Sequence, residues 1–351
     1  MPSKCRRSRH ARAAASRESH TASARIAATI AAAKWSSPSN HPVLLARVAL
    51  CFPGQGSQAA GMADGLIDLP IAVDMLEAAQ SSGLDLRTAL SGADAQLRAT
   101  DIAQPALLFV ECALRSTLPD DLEIVAVAGH SVGEYAAAVA ATALNPADAM
   151  RLVIERGRAM AAMREGTMCA LIGIDVDAAT AVCDETERET GEVVVVANHN
   201  APGQLVISGS TGGVEAASKL ALSRGARRAI PLNVSGAFHS PLMASAASRF
   251  EAALDGVALS DPRPPVVCNV DACDVHTATA LRDRLRAQLT SPVRWIDCVH
   301  RLVGLGAELL VEVGPGAVLS GLAKRIVPDV RAVSVSSADA AAHLDVAAVV
   351  R

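Results

Sequence analysis

Short apolar runs alternate along this chain with longer segments in which apolar residues recur at helical spacing. The runs 43–52 and 122–128 are each followed by a glycine-containing turn, whereas Ala149 and Val153 belong to a helix-like repeat within 147–163. Buried parallel strands carry nearly continuous apolar sequence, because both of their faces are covered. The alternation therefore predicts a parallel sheet flanked by helices, which is an α/β fold.

The same pattern predicts where the elements lie. Strands are predicted over 43–52, 122–128, 167–174, 192–198, 204–210, 227–234, 266–270 and 308–313. Helices are predicted over 64–80, 84–90, 104–118, 134–144, 147–163, 176–190, 213–224, 241–254, 277–290, 293–305 and 318–326.

From Gly166 the order changes to strand, helix, strand, strand, helix, strand, which is typical of a ferredoxin-like subdomain. We therefore predict a large α/β domain made of residues 43–165 and 236–335. An inserted ferredoxin-like subdomain, 166–235, interrupts it, and a C-terminal tail, 336–351, follows it.

Charge separates the first forty residues from the rest. Residues 1–40 hold eight Lys or Arg and a single acid, whereas the remainder holds 24 basic and 35 acidic residues, a net charge of −11. Because it is also rich in Ser and Ala, the leader 1–42 has the composition of a transit peptide, which would place the protein in a mitochondrion or plastid. The alternatives are a disordered extension, or a misplaced start codon in a bacterial gene whose product is cytoplasmic. The acidic remainder argues against nucleic acid as a partner.

Composition excludes further classes. The chain has 351 residues, 51% of them hydrophobic but only 2% aromatic, so its core must be largely aliphatic. No uncharged apolar run approaches the roughly eighteen residues that suggest a membrane-spanning helix. The eight cysteines include no Cys-x-x-Cys pair, which argues against a zinc site and against a disulfide framework.

The most informative motif is Gly129-His130-Ser131-Val132-Gly133, which stands between a predicted strand and a predicted helix. A Gly-x-Ser-x-Gly at such a junction holds a serine hydroxyl exposed on a strained turn. The helix that follows presents free N–H groups to an oxyanion formed at the serine. The motif therefore predicts a nucleophilic serine.

Three other segments accompany this motif: FPGQGSQ at 52–58, VSGAFHS at 234–240 and EVGPG at 312–316. In this combination and order, over about residues 47–335, the chain closely resembles the malonyl-CoA:acyl carrier protein transacylases, which include acyltransferase domains of fatty acid and polyketide synthases. The resemblance implies transfer of a malonyl group from malonyl-CoA to the phosphopantetheine thiol of acyl carrier protein. It further implies a malonyl-serine intermediate, a role in fatty acid synthesis and an α/β-hydrolase-like large domain.

The resemblance also assigns roles to individual residues. Ser131 matches the nucleophile and His239 the general base, which in the family is oriented by a main-chain or asparagine oxygen rather than by an acid. Gln55 and Val132 match the residues whose backbone N–H groups form the oxyanion hole. Arg156 matches the arginine that binds the free carboxylate of malonate, a task suited to a planar, permanently charged guanidinium.

Four more residues are assigned to the substrate site in the same way. Gln288 matches a glutamine near the substrate carboxylate, and Asn198 and Asn200 match asparagines near the catalytic histidine. Phe238 is the bulky residue of malonyl-selective members, so it favours malonyl over methylmalonyl. No metal or other cofactor and no membrane association are implied, and we expect a monomer.

Two other function classes compete with this interpretation. An α/β-hydrolase-like esterase or thioesterase shares the serine motif and the serine–histidine pair. Such enzymes usually carry an acid between serine and histidine in chain order, and they have no use for Arg156. A non-catalytic module that only binds carrier protein is disfavoured, because Ser131 and His239 are both present. A dinucleotide site at Gly54-Gln55-Gly56 is also disfavoured, since the third glycine and the downstream acid are missing.

Overall fold

The computed structural model describes residues 46–92, 96–234, 236–346 and 349; the predicted leader, 1–42, lies outside them. The strands are β1 Arg47–Phe52, β2 Glu123–Gly129, β3 Thr167–Ile172, β4 Val194–Ala201, β5 Gln204–Gly209, β6 Arg228–Pro231, β7 Val266–Val267, β8 Asp274–Val275, β9 Leu309–Val313 and β10 Arg331–Val335. The α-helices are α1 Pro70–Ser81, α2 Leu86–Leu90, α3 Thr100–Arg115, α4 Gly133–Ala140, α5 Pro146–Ala161, α6 Val176–Thr190, α7 Thr211–Ser223, α8 Ala244–Asp255, α9 Ala278–Ala287, α10 Trp295–Gly304, α11 Val318–Ile326 and α12 Ala338–Ala342. Short 3₁₀ helices cover Gln96–Arg98, Pro241–Met243 and Gln288–Thr290.

The larger sheet has the strand order β10-β9-β1-β2-β7-β8. All its neighbouring strands are parallel except β7 and β8, which pair antiparallel at one edge. Successive side chains of a strand point to opposite faces, so Val48 and Leu50 of β1 enter one apolar core while Ala49 and Cys51 enter another. The predicted α/β fold with a parallel sheet is confirmed.

The smaller sheet is antiparallel, with the strand order β4-β5-β3-β6. Helices α6 and α7 complete the predicted order of strand, helix, strand, strand, helix, strand. Leu171, Val194, Leu205 and Ile207 belong to an apolar core separate from those of the larger sheet.

Several predicted boundaries are wrong for local reasons. The helix predicted over 64–80 begins only at Pro70, because Gly61 and Gly65 adopt positive φ in turns before it. The helix predicted from residue 104 begins at Thr100, so Pro105 lies inside it rather than in its first turn.

Of the strand predicted over 266–270, only the two residues of β7 form a strand, and β8 pairs with β7. The pattern did not predict β10 or α12. The latter falls within the predicted tail, 336–351, and buries Ala341 completely.

A buried carboxyl group lies beside Gly314, the residue that follows β9. Glu111 on α3 is fully buried, and neither of its carboxyl oxygens has a hydrogen-bond partner among the described residues. Burial, and then the charge of Glu312, raise the pKa of Glu111 well above its ordinary value. The Glu312 carboxylate accepts hydrogen bonds from the N–H groups of Leu319 (2.9 Å) and Ser320 (2.8 Å) at the start of α11.

We expect the free energy of unfolding to decrease as pH rises, and we expect this decrease to be smaller in Glu111→Gln. As pH rises, the unfolded chain releases this proton before the folded protein does, so each pH unit between the two pKa values removes about 1.4 kcal/mol of folding free energy. The check is the thermal midpoint from about pH 5 to about pH 9, with exposed Glu77→Gln as the matched control. An unchanged pH slope in Glu111→Gln would contradict the prediction.

Candidate active site

Ser131 lies on a sharp turn between β2 and α4. Its φ is +53°, a left-handed conformation that residues with a side chain rarely adopt. The flanking glycines make the turn possible. A Cβ on Gly129 would lie 1.9 Å from the carbonyl carbon of Gly133, and a Cβ on Gly133 would lie 2.2 Å from the carbonyl oxygen of Phe52. The chain therefore has the strand–turn–helix geometry that the motif predicts.

The Ser131 hydroxyl is 2.7 Å from Nε2 of His239. On the other side of the ring, Nδ1 lies 3.1 Å from the carbonyl oxygens of both Gln288 and Ser291. Because both partners only accept, the proton belongs on Nδ1, and Nε2 is left as an acceptor for the serine proton. Burial, and then the charge of Arg156, lower the pKa of His239 to about 3, so the ring is neutral at ordinary pH.

Arg156 of α5 is buried beside the serine. Its Nη1 donates to Oε1 of Gln104 (2.5 Å), and its Nη2 donates to Oε1 of Gln288 (2.9 Å) and to the Ser131 hydroxyl (3.1 Å). The guanidinium carbon also lies 5.7 Å from the centre of the Tyr135 ring. Nε is buried and has no acceptor among the described residues. The side-chain oxygen Oε1 of Gln288 thus contacts Arg156.

Two backbone N–H groups beside the serine have no acceptor in the described part of the chain, those of Gln55 and Val132. The N–H of Ser131 itself is occupied, because it donates to Oδ1 of Asn269 at 2.8 Å. The loop that carries Gln55 is held by its side chain, whose Oε1 accepts from the hydroxyl of Thr100 at 2.8 Å. Gln55 and Val132 both line the cavity that contains Ser131.

A cavity of about 180 Å³ is lined by Ser131, His239 and Arg156. Its apolar wall includes Phe238 and Met168. A cavity of this volume suits a short acyl group.

Asn198 and Asn200 line the same cavity. Oδ1 of Asn200 lies 2.9 Å from Nε2 of His130, whose ring also meets the edge of Trp295 at 5.6 Å between centroids. Nδ1 of His239 lies instead beside the main-chain oxygens of Gln288 and Ser291.

The model of the acyl transferase domain family matches residues 50–344. The chain belongs to this family. It is 42% identical over 303 residues to the malonyl CoA-acyl carrier protein transacylase of Bacillus subtilis, a match that covers 83% of this chain and 94% of the relative. The transacylase of the same name from Escherichia coli is 40% identical over 306 residues, which is 85% of this chain and 98% of that protein. The resemblance predicted from the four segments is confirmed.

Solved structures of such acyltransferases share this fold. An acyl-carrier-protein-S-malonyltransferase from Bartonella henselae superposes with a TM-score of 0.79 at 36% identity, covering 84% of this chain and 97% of that one. A malonyl-transacylase in complex with its type II PKS acyl-carrier protein gives a TM-score of 0.78 at 36% identity, covering 84% and 98% of the two chains.

Sequence reasoning missed three buried polar residues of this acyltransferase site: Gln104, Glu134 and Asn269. The Glu134 carboxylate accepts from the backbone N–H of Asn269 at 2.6 Å and also from the side-chain amide of Gln288. Burial raises the pKa of Glu134 to about 8, against the effect of the bond from Asn269. Only Glu134 had a local signal, since it directly follows the serine motif.

The described residues contain no group of three or more His, Cys, Asp or Glu arranged to hold a metal ion. Nor is any helix among them both long enough and apolar enough to cross a bilayer.

Proposed function

We propose that this protein transfers a malonyl group from malonyl-CoA to the phosphopantetheine thiol of acyl carrier protein, through a malonyl ester on Ser131, and so supplies fatty acid synthesis. The observation that carries the proposal is the meeting of three groups in one small cavity. The Ser131 hydroxyl lies 2.7 Å from a neutral histidine and 3.1 Å from a buried arginine. These are a nucleophile, its base and a cation for the second carboxylate of malonate. The names of the relatives support the same activity.

In the first half-reaction, His239 Nε2 takes the proton of Ser131 as Oγ attacks the thioester carbonyl of malonyl-CoA. The tetrahedral oxyanion is stabilised by the N–H groups of Gln55 and Val132. When the intermediate collapses, the carbon–sulfur bond breaks and the departing CoA thiolate receives the proton from His239. Malonyl-Ser131 remains.

In the second half-reaction, the carrier thiol gives its proton to His239 and its sulfur attacks the malonyl ester. Collapse breaks the bond to Oγ, and Ser131 recovers its proton from the imidazolium. The two substrates thus react in turn, which is a ping-pong mechanism.

Arg156 selects the acyl group in this scheme, because it pairs with the free malonyl carboxylate while the thioester lies over Ser131. Gln104 and Gln288 hold the guanidinium in place. Phe238 narrows the apolar wall, which favours malonyl over a branched methylmalonyl group. Asn198 and Asn200, which also line the cavity, are proposed to contact the substrate.

We also propose that residues 43–165 and 236–335 form an α/β-hydrolase-like domain into which residues 166–235 are inserted as a ferredoxin-like subdomain. The serine turn after a parallel strand supports the first assignment. The separate apolar core of β3–β6 supports the second.

The acceptor onto which the malonyl-enzyme discharges distinguishes a transferase from a hydrolase. Malonyl-enzyme isolated after incubation with malonyl-CoA is expected to discharge onto holo acyl carrier protein about a hundredfold faster than onto water. Apo carrier protein, which lacks the phosphopantetheine arm, is the control and should not accelerate discharge. If holo carrier protein left the discharge rate unchanged, the protein would be a hydrolase.

A further inference from the structure

Asn269 lies directly behind the serine turn, two residues after the end of β7, and its side chain is completely buried. Two hydrogen bonds join its side chain to the serine motif: Oδ1 accepts from the N–H of Ser131 at 2.8 Å, and Nδ2 donates to the carbonyl oxygen of Gly129 at 2.7 Å. A third bond, from its backbone N–H to the Glu134 side chain at 2.6 Å, reaches the residue that directly follows the motif. Asn269 therefore contacts residues before, at and after the nucleophile.

These bonds act on a backbone conformation that is unfavourable by itself. Ser131 is in the left-handed region, which is disfavoured for a residue with a Cβ. Such a conformation persists only where its surroundings enforce it. The Asn269 side chain fixes the N–H of Ser131, and Nε2 of Gln288 donates to the Ser131 carbonyl oxygen at 2.9 Å. Both peptide groups of the nucleophile are thus anchored by side chains.

The anchoring also determines which N–H groups face the reaction. With the Ser131 N–H bound to Asn269, the donors left for an oxyanion are those of Val132 and Gln55. Rotation of the Ser131 peptide would move Oγ away from His239 Nε2 and turn the Val132 N–H out of the oxyanion position. Either change removes an interaction that stabilises the transition state.

We propose that Asn269 is a positioning residue for acyl transfer, whose carboxamide locks the Ser131 turn so that the hydroxyl stays on His239 and the Val132 N–H points to the oxyanion. This inference rests on the proposed function for its substrate. It does not rest on it for its chemistry, since any acylation of Ser131 needs the same turn.

An asparagine suits this position because it offers an acceptor and a donor from one flat group. Asn269→Ala removes both bonds. Asn269→Asp keeps the acceptor for Ser131, but when ionised it places an oxygen against the Gly129 carbonyl oxygen. When protonated, the aspartic acid donates to that oxygen and restores both bonds.

The first experiment is single-turnover acylation of Ser131 by malonyl-CoA, with the rate expressed per titratable serine. Asn269→Ala is expected to lower the maximal rate about a hundredfold, as loss of an oxyanion donor does, while half-saturation by malonyl-CoA changes less than about threefold. Asn145→Ala is the matched control. It removes an asparagine that accepts from two backbone N–H groups at the start of α5, so it should cost stability without changing the rate per serine.

The second experiment uses Asn269→Asp and remains informative if Asn269→Ala does not fold. The ratio of its acylation rate to that of the unsubstituted protein is expected to be near one at low pH. The ratio should fall as pH rises and the new carboxyl group ionises. The ionisable groups around this position are Glu134, Cys268 next in sequence, and Cys298, whose Sγ lies 4.0 Å from Nδ2. Arg156 and Asp271 act on Glu134 through their charges. Burial favours the neutral acid, so the transition should lie above the ordinary range of an aspartate.

A serine-directed fluorophosphonate distinguishes failure of this inference from failure of the substrate assignment. If malonyl-CoA does not acylate the unsubstituted protein, the proposed function fails, but the Asn269 variants should still react more slowly with the phosphonate. If Asn269→Ala reacts at the unsubstituted rate per serine, or if Asn269→Asp shows no relative pH dependence, Asn269 is merely structural and the inference is overturned.

Discussion

Replacing Ser131 with alanine is expected to abolish both self-acylation and transfer, with a loss of at least about 10⁴-fold in turnover. The reason is its position: Oγ of Ser131 accepts a hydrogen bond from Arg156 and lies 2.7 Å from Nε2 of His239. The measurement is intact mass after incubation with malonyl-CoA. One malonyl group should be found on the unsubstituted protein, on the peptide that contains Ser131.

Ser116→Ala serves as the control for this change, because Ser116 is an exposed serine whose hydroxyl only caps the end of α3. It should acylate and transfer normally. A fully active Ser131→Ala protein, or a malonyl group on another peptide, would exclude the acyl-serine mechanism.

The nucleophile turn is predictable from sequence because everything that shapes it is local. A Cβ on Gly129 would collide with Gly133, and a Cβ on Gly133 would collide with Phe52 of β1. The two glycines that the turn around Ser131 requires are therefore visible in the five-residue motif itself. Helix α6 is predictable for the same reason. It begins after Asp175, whose side chain accepts from the Ala178 N–H, and it ends at a glycine with a φ of +71°.

Other parts of the site depend on contacts that no local pattern records. Gln104 reaches Arg156 across 52 residues of sequence, and Asn269 reaches Ser131 across 138. Asn269 is one asparagine between an apolar strand and a turn, and nothing around it in the sequence indicates a nucleophile. Its importance arises only when β7 pairs with β2 and brings the two segments together.

The resemblance to a family identifies site residues that lie far apart in the sequence, but it does not identify their hydrogen-bond partners. Asn200 illustrates the difference. The resemblance places it near the catalytic histidine, whereas its hydrogen bond goes to His130, and main-chain oxygens orient His239. Which acceptor a histidine uses is decided by the packing of the segment around Gln288, and this packing is not encoded near His239.

Replacing Arg156 with alanine is expected to convert the enzyme from malonyl to acetyl transfer. Loss of a hydrogen-bonded charge pair with the substrate carboxylate costs about 1.5–3 kcal/mol, which is roughly 10- to 150-fold in kcat/KM for malonyl-CoA. Acetyl-CoA has no second carboxylate, so kcat/KM for acetyl-CoA should not fall when the guanidinium is removed. It should rise, because an unpaired buried cation is removed from the site. The measurement is kcat/KM for both thioesters, with Arg158→Ala as the control. Arg158 lies on the same helix, where it is exposed and paired with Glu155 at 2.9 Å.

The pH profile of acetyl transfer gives this prediction a second, independent readout. The charge of Arg156 is one cause of the low pKa of His239, after burial. Its removal should therefore raise that pKa, so the base becomes protonated at a higher pH and the acid limb of acetyl transfer moves upward. Selective loss of malonyl transfer together with this shift would assign Arg156 to both tasks, carboxylate binding and maintenance of a neutral base. Equal losses with the two thioesters and an unmoved acid limb would show that Arg156 supports the fold, because only a structural defect acts on both substrates alike.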